Sequence, residues 1–129
     1  MTRPPVGQRA AIGLGVFLVG AGVAHFVVPQ YYRQLIPPWL GAPDAWVYGS
    51  GVVEIAVGAA IIPLRTRRRA AFTAALLFIA VFPGNIFHAW QARDGSSVEQ
   101  VATLIRLPLQ LPLIWWAWRV AKNAGGPDE

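Results

Sequence analysis

Apolar runs of about 20 residues, the length a helix needs to cross the hydrocarbon core of a bilayer, recur four times, at Gly7 to Val28, Ala45 to Leu64, Ala70 to Trp90 and Val98 to Trp118. The pattern predicts an all-α integral membrane four-helix bundle, one domain over residues 1–129 with little chain outside the spans. Inside each run, helical spacing gathers the polar and small residues on one stripe. The stripes are Ala11, Gly15, Leu18, Gly22 and His25; Ser50, Glu54 and Gly58; Ala74, Phe78, Val81, Asn85 and His88; and Glu99, Thr103, Arg106 and Gln110. Each becomes polar toward one end and small or apolar toward the other, where Gly15, Gly22, Gly58 and Ala74 permit close helix contact. A bundle closed at the small-residue end, with a polar cavity opening at the opposite end, follows.

Composition narrows the class. With 55% hydrophobic and 13% charged residues, against about 25% charged in an ordinary soluble domain, the chain is neither disordered nor able to bury its apolar surface in one small soluble core. Lipid has to cover it. The net charge of +5 has no aromatic-laced basic stripe, which argues against nucleic acid as a partner. Its distribution sets topology instead. Arg3, Arg9, Arg65, Arg67, Arg68, Arg69, Arg119 and Lys122 fall on one side of the spans, Arg33 and Arg93 on the other. By the positive-inside rule both termini and the arginine run are cytoplasmic, in a multi-pass protein of a bacterial-type plasma membrane. Arg65 to Arg69 reads as a tight turn between antiparallel helices. Arg3 and Arg9 ahead of an apolar stretch ending Ala-Gly-Val-Ala also fit a cleavable leader, but the stretch is long enough to span and cleavage would discard one stripe. Tyr31, Tyr32, Trp39, Trp46 and Tyr48 mark the outer boundary, and Trp115, Trp116 and Trp118 the inner one. The sequence has no cysteine, which excludes disulfides, thiolate metal sites and iron-sulfur clusters.

Four ionisable residues lie inside the spans, where each needs a partner or a purpose. A rise of 1.5 Å per residue puts His25 about 5 Å, Glu54 about 13 Å, His88 about 3 Å and Arg106 about 12 Å below the outer ends of their spans, with Asn85 at about 8 Å. The similar depth of Glu54 and Arg106 predicts an ion pair between them. Two readings stay open: Glu54, Asn85, Arg106 and Gln110 form a buried network that fixes helix register, or they line a ligand pocket. His25 and His88 read first as interfacial residues bonded to loop carbonyls. Axial ligation of a haem by the pair is disfavoured, as is a zinc or iron site with Glu54, because Arg106 repels cations and no HxxxH or ExxH spacing occurs. Arg106 suits an anionic or carbonyl-bearing ligand. The candidate ligand-binding residues are therefore His25, Glu54, Asn85, His88, Arg106 and Gln110. Between the first two spans, Tyr31, Tyr32, Leu35 and Ile36 share a face until Pro37 and Pro38 stop it. That segment, with Trp39, reads as a lid over the cavity or an interfacial anchor. Pro83, Pro108 and Pro112 free backbone carbonyls beside the polar stripes.

The chain resembles small membrane proteins of the DoxX-like superfamily across all four spans. The resemblance rests on His25-Phe26 with Pro29 and Tyr32, Pro37-Pro38-Trp39-Leu40, Ser50-Gly51 with Glu54-Ile55 and Gly58, Pro83-Gly84-Asn85 with His88, and most specifically Arg106-Leu107-Pro108-Leu109-Gln110. It implies a four-helix membrane bundle, and relatives have been linked to quinone-coupled sulfur oxidation, redox-partner assembly and receptor chaperoning in animals. Redox-associated relatives often rely on cysteines that this chain lacks, and Gly84 stands where many relatives carry Ala. The expected function is binding of a lipophilic ligand with a polar head, a quinone or a lipid, or support of a redox process. The alternative is an assembly factor facing a membrane protein partner or a second copy. A haem-bearing oxidoreductase subunit is a third reading. No acid pair, phosphate loop or Ser-His-Asp arrangement is present, so binding is favoured over catalysis, and spans without polar residues in their inner half give a transporter no path.

Overall fold

In a computed structural model, the described residues 7–124 are helical and contain no strand. The helices are α1 (Gln8–Val27), α2 (Pro29–Arg33), α3 (Pro43–Ile61), α4 (Leu64–Ala80), α5 (Phe82–Gln91) and α6 (Ser97–Ala124), with single 3₁₀ turns at Pro38–Leu40 and Ala92–Asp94. Proline punctuates them. Pro29 and Pro43 open α2 and α3 where a missing N–H costs nothing, Pro63 caps α4, and Pro83 lies in the first turn of α5. The start of α6 has a different cause: Ser96 Oγ accepts a hydrogen bond from the Glu99 backbone N–H at 3.2 Å, a serine cap ahead of an acidic third position.

Three stretches are long and apolar enough to cross a membrane: α1, α3 and the run Leu64–Asp94 that contains α4 and α5. The third is broken at Val81, where Pro83 stops the helix and restarts it. The 28-residue α6 is not among the three, because Arg106, Gln110 and two internal prolines dilute its apolar content. The exterior carries the hydrophobic load: Val16, Val27, Val52, Leu76, Leu104 and Leu111 are all exposed.

Two helix pairs make the body. The first joins α1 to α3, antiparallel, at two reciprocal glycine contacts. A Cβ on Gly15 would lie 2.8 Å from Gly58 O and one on Gly22 would lie 2.6 Å from Gly51 O, so only glycine allows this approach. The buried line on α1 is the expected stripe with Leu14 added. On α3 the buried line is Val47, Gly51, Gly58 and Ile61. Gly51, not Ser50, takes the contact position, because Gly22 needs a neighbour without a side chain. The second pair joins α4 and α5 to α6. Between the pairs, Leu14, Leu18, Ile61, Ala71, Ala74, Phe78, Ala117 and Val120 fill one end with solid core.

The arginine run is not the loop. The turn is Ile62–Pro63, and Arg65 to Arg69 form the first turns of α4. Arg67 leaves the others and is buried, 2% exposed. It donates to Ile61 O at 2.8 Å, Ile62 O at 2.6 Å and Gln8 Oε1 at 2.6 Å. A cation at the α3 C-terminus satisfies carbonyls that the helix leaves open and complements its dipole. Arg67 therefore holds structure rather than only marking a side of the membrane. Arg3, counted with it, lies outside the described residues.

Candidate functional site

Toward the other end the helix pairs part, leaving a cavity of about 260 Å³. Its floor is apolar, from Phe17, Leu18, Phe78, Leu109 and Leu113, and polar side chains sit on opposite walls. The α1–α3 wall carries His25 and Glu54. His25 Nδ1 lies 2.7 Å from Ala21 O and 3.2 Å from Glu54 Oε2; both are acceptors, so the proton is on Nδ1. The shorter, one-turn contact takes it. Glu54 Oε2 is left buried with no hydrogen-bond partner among the described residues.

The opposite wall is a connected network. Arg106 donates to Asn85 Oδ1 at 2.9 Å, to His88 Nδ1 at 3.3 Å and to the Tyr31 hydroxyl. Because a guanidinium only donates, His88 accepts at Nδ1 and carries its proton on Nε2, which donates to Gln34 Oε1 at 3.1 Å. Asn85 Nδ2 donates to Gln110 Oε1 at 3.1 Å, and Gln110 Nε2 donates to Phe78 O at 2.7 Å. That last acceptor is one of the carbonyls released where α4 ends before Pro83. Arg106 has no carboxylate partner among the described residues.

Between Pro29 and Leu35 the chain roofs the cavity and ties both walls. The Tyr32 ring stacks on His25 with centroids 3.8 Å apart and planes at 17°. Tyr31 meets His88 edge-on at 5.7 Å, and Gln34 holds His88. This segment covers the end of the bundle, and exposed lining residues lie on its flank. Phe17 on α1 and Leu109 on α6 line the cavity yet are 43% and 53% exposed. α1 and α6 touch lower down, through Trp116, whose Nε1 donates to Ala10 O at 3.0 Å and whose ring lies 6.0 Å from Phe17.

Five of the six candidate binding residues line the cavity, His25, Glu54, Asn85, Arg106 and Gln110; His88 does not, and is joined to it through Arg106. The expected Glu54–Arg106 ion pair is absent among the described residues. Each follows its own helix pair, Glu54 with α1 and Arg106 with α5, and the cavity separates them. Neither histidine bonds a loop carbonyl: His25 uses its own helix and His88 a loop side chain. Both His88 ring nitrogens are engaged, so it offers no free lone pair to a haem iron. Of the expected lid, Tyr31 and Tyr32 reach the site and Trp39, 80% exposed, does not. Gln34 was missed; with Gln30 and Arg33 it is one of three polar residues in that segment, and nothing in the pattern singles it out.

A family model described as a domain of unknown function (DUF8561) matches residues 14–121. The chain belongs to that family. The matched DUF8561 region contains every residue of both walls and the roof, and Trp116, but not Ala10, whose carbonyl Trp116 bonds. No curated protein and no solved structure matches the chain.

Proposed function

We propose that this chain is a four-span bundle of a bacterial-type plasma membrane, with α6 as the fourth span and both termini cytoplasmic, that binds a lipophilic molecule with a polar head. A quinone and a lipid are the candidate ligands. The observation that carries the reading is one cavity in which a buried carboxylate oxygen near His25 but without a hydrogen bond, on one wall, lies across from a guanidinium without a carboxylate on the other, over an apolar floor. Charged groups are costly at that depth; Arg106 is already held by Asn85, His88 and Tyr31, and a head that accepts from it while donating to Glu54 gives the buried carboxylate oxygen its hydrogen-bond partner. A lateral opening between Phe17 and Leu109 admits such a head directly from lipid, its tail remaining among the exposed apolar side chains. The DoxX-like resemblance supports a bundle of this type and a quinone as the first ligand to test.

Protein purified in mild detergent should release a quinone or lipid identifiable by mass spectrometry. Arg106→Ala should lower the bound fraction about tenfold or more, since it removes a charge-assisted hydrogen bond. Trp39→Ala, outside the cavity, should leave it unchanged. A wild-type preparation without ligand, or an Arg106→Ala variant changed only in stability, sinks the reading. Co-purifying membrane proteins in place of a ligand would turn the assignment to an assembly factor.

A further inference from the structure

The end of the bundle remote from the cavity carries a second concavity, of about 640 Å³, lined by Leu64, Arg65, Arg68, Arg69, Phe72 and Thr73. We infer that this groove is a binding site for the phosphodiester headgroup of an acidic phospholipid. It is independent of the ligand proposed for the cavity.

Three observations converge on it. First, Arg65, Arg68 and Arg69 stand at i, i+3 and i+4, on one face of α4, while Arg67 from the same run is turned inward onto the end of α3. Topology alone would be served by cations anywhere in the run, yet three of them line one groove. Second, their position is unfavourable unless a counter-charge is present. Like charges three and four residues apart repel, and Arg65 lies in the first turn of α4, where the helix dipole disfavours a cation. No carboxylate pairs with any of the three among the described residues. Third, the groove has an apolar side. Leu64 and Phe72 line it and are 47% exposed each, and Leu76, one turn beyond Phe72, is 55% exposed. The Phe72 ring lies 5.8 Å from Trp118. Guanidinia at the rim, then an aromatic pair, then exposed aliphatic side chains follow the order of a lipid from headgroup to acyl chain. A free phosphate would use the rim alone.

The test is native mass spectrometry of the delipidated full chain in detergent, titrated with phosphatidylglycerol and with phosphatidylcholine of the same acyl chains. The acidic lipid should bind at least about tenfold more tightly, and Arg68→Gln alone should weaken it about fivefold, since a basic side chain near a charged surface contributes about 1 kcal/mol. The triple variant R65Q/R68Q/R69Q should abolish the preference. The double variant R119Q/K122Q, which removes charge at the same end but outside the groove, should retain it. Glycerol phosphate and inorganic phosphate should not compete at concentrations where the lipid saturates. Equal affinity for the two lipids, equal losses in the triple and double variants, or full competition by inorganic phosphate would each overturn the proposal. The tertiary fold of the triple variant is checked by its undiminished ligand content in the Glu54–Arg106 cavity or, if wild type carries none, by its thermal unfolding midpoint.

Discussion

Arg67→Ala is expected to cost about 3–5 kcal/mol of stability, more than removal of any other cation in the arginine run. The side chain closes the turn between α3 and α4 by donating to Ile61 O and Ile62 O and reaches across to Gln8 of α1. Its loss leaves two helix-end carbonyls without partners at a buried position, each costing about 1–3 kcal/mol, beyond the lost interaction with the helix dipole. Lysine should recover only part, because one ammonium cannot replace a planar fork aimed at three acceptors. Unfolding in detergent followed by circular dichroism measures both variants. An equal loss for Arg68→Ala would show that net charge, not this contact, is responsible.

Alanine at Gly22 or Gly58 should be nearly as damaging, at about 1–3 kcal/mol each, because the added methyl has nowhere to go. At Gly58 it would sit 2.7 Å from Gly15 O and 2.9 Å from Val19 N. Both are backbone atoms, so the helices themselves must separate. Gly20 and Gly49 are internal controls: nothing lies within 4 Å of a Cβ there, and alanine should stabilise by about 0.4–1 kcal/mol through the unfolded chain. The same experiment reports on the cavity. Forcing α1 from α3 moves His25 away from Glu54, so Gly22→Ala should lower ligand content while Gly20→Ala does not. Loss of stability with unchanged ligand content would detach the glycine seam from the site.

The residues of the site were legible in the sequence because lipid-spanning segments are almost free of polar groups, so each exception stands out. His25, Glu54, Asn85, His88, Arg106 and Gln110 could be named on that ground alone. Their pairing could not. Depth along a helix axis says which residues share a level, but not which helices are neighbours, and Glu54 and Arg106 share a level on opposite walls. Nor could the contact between α1 and α6 be read, because it is made by Trp116, whose place in an aromatic cluster suggested a boundary marker. Arg67 was hidden for the opposite reason: among four arginines, nothing in the sequence says which one turns inward. The kink at Val81 was foreshadowed by Pro83, but its consequence, a carbonyl offered to Gln110 from the next helix, is tertiary.

The solid core beneath the cavity makes it a cul-de-sac. Leu14, Leu18, Ile61 and Ala117 are completely buried, and Trp116 seals the seam between α1 and α6 at the level where the floor begins. On the function proposed above, a ligand that enters beside Phe17 would withdraw along the same track, and occupancy would follow the composition of a single leaflet, one half of the bilayer sampled without connection to the other.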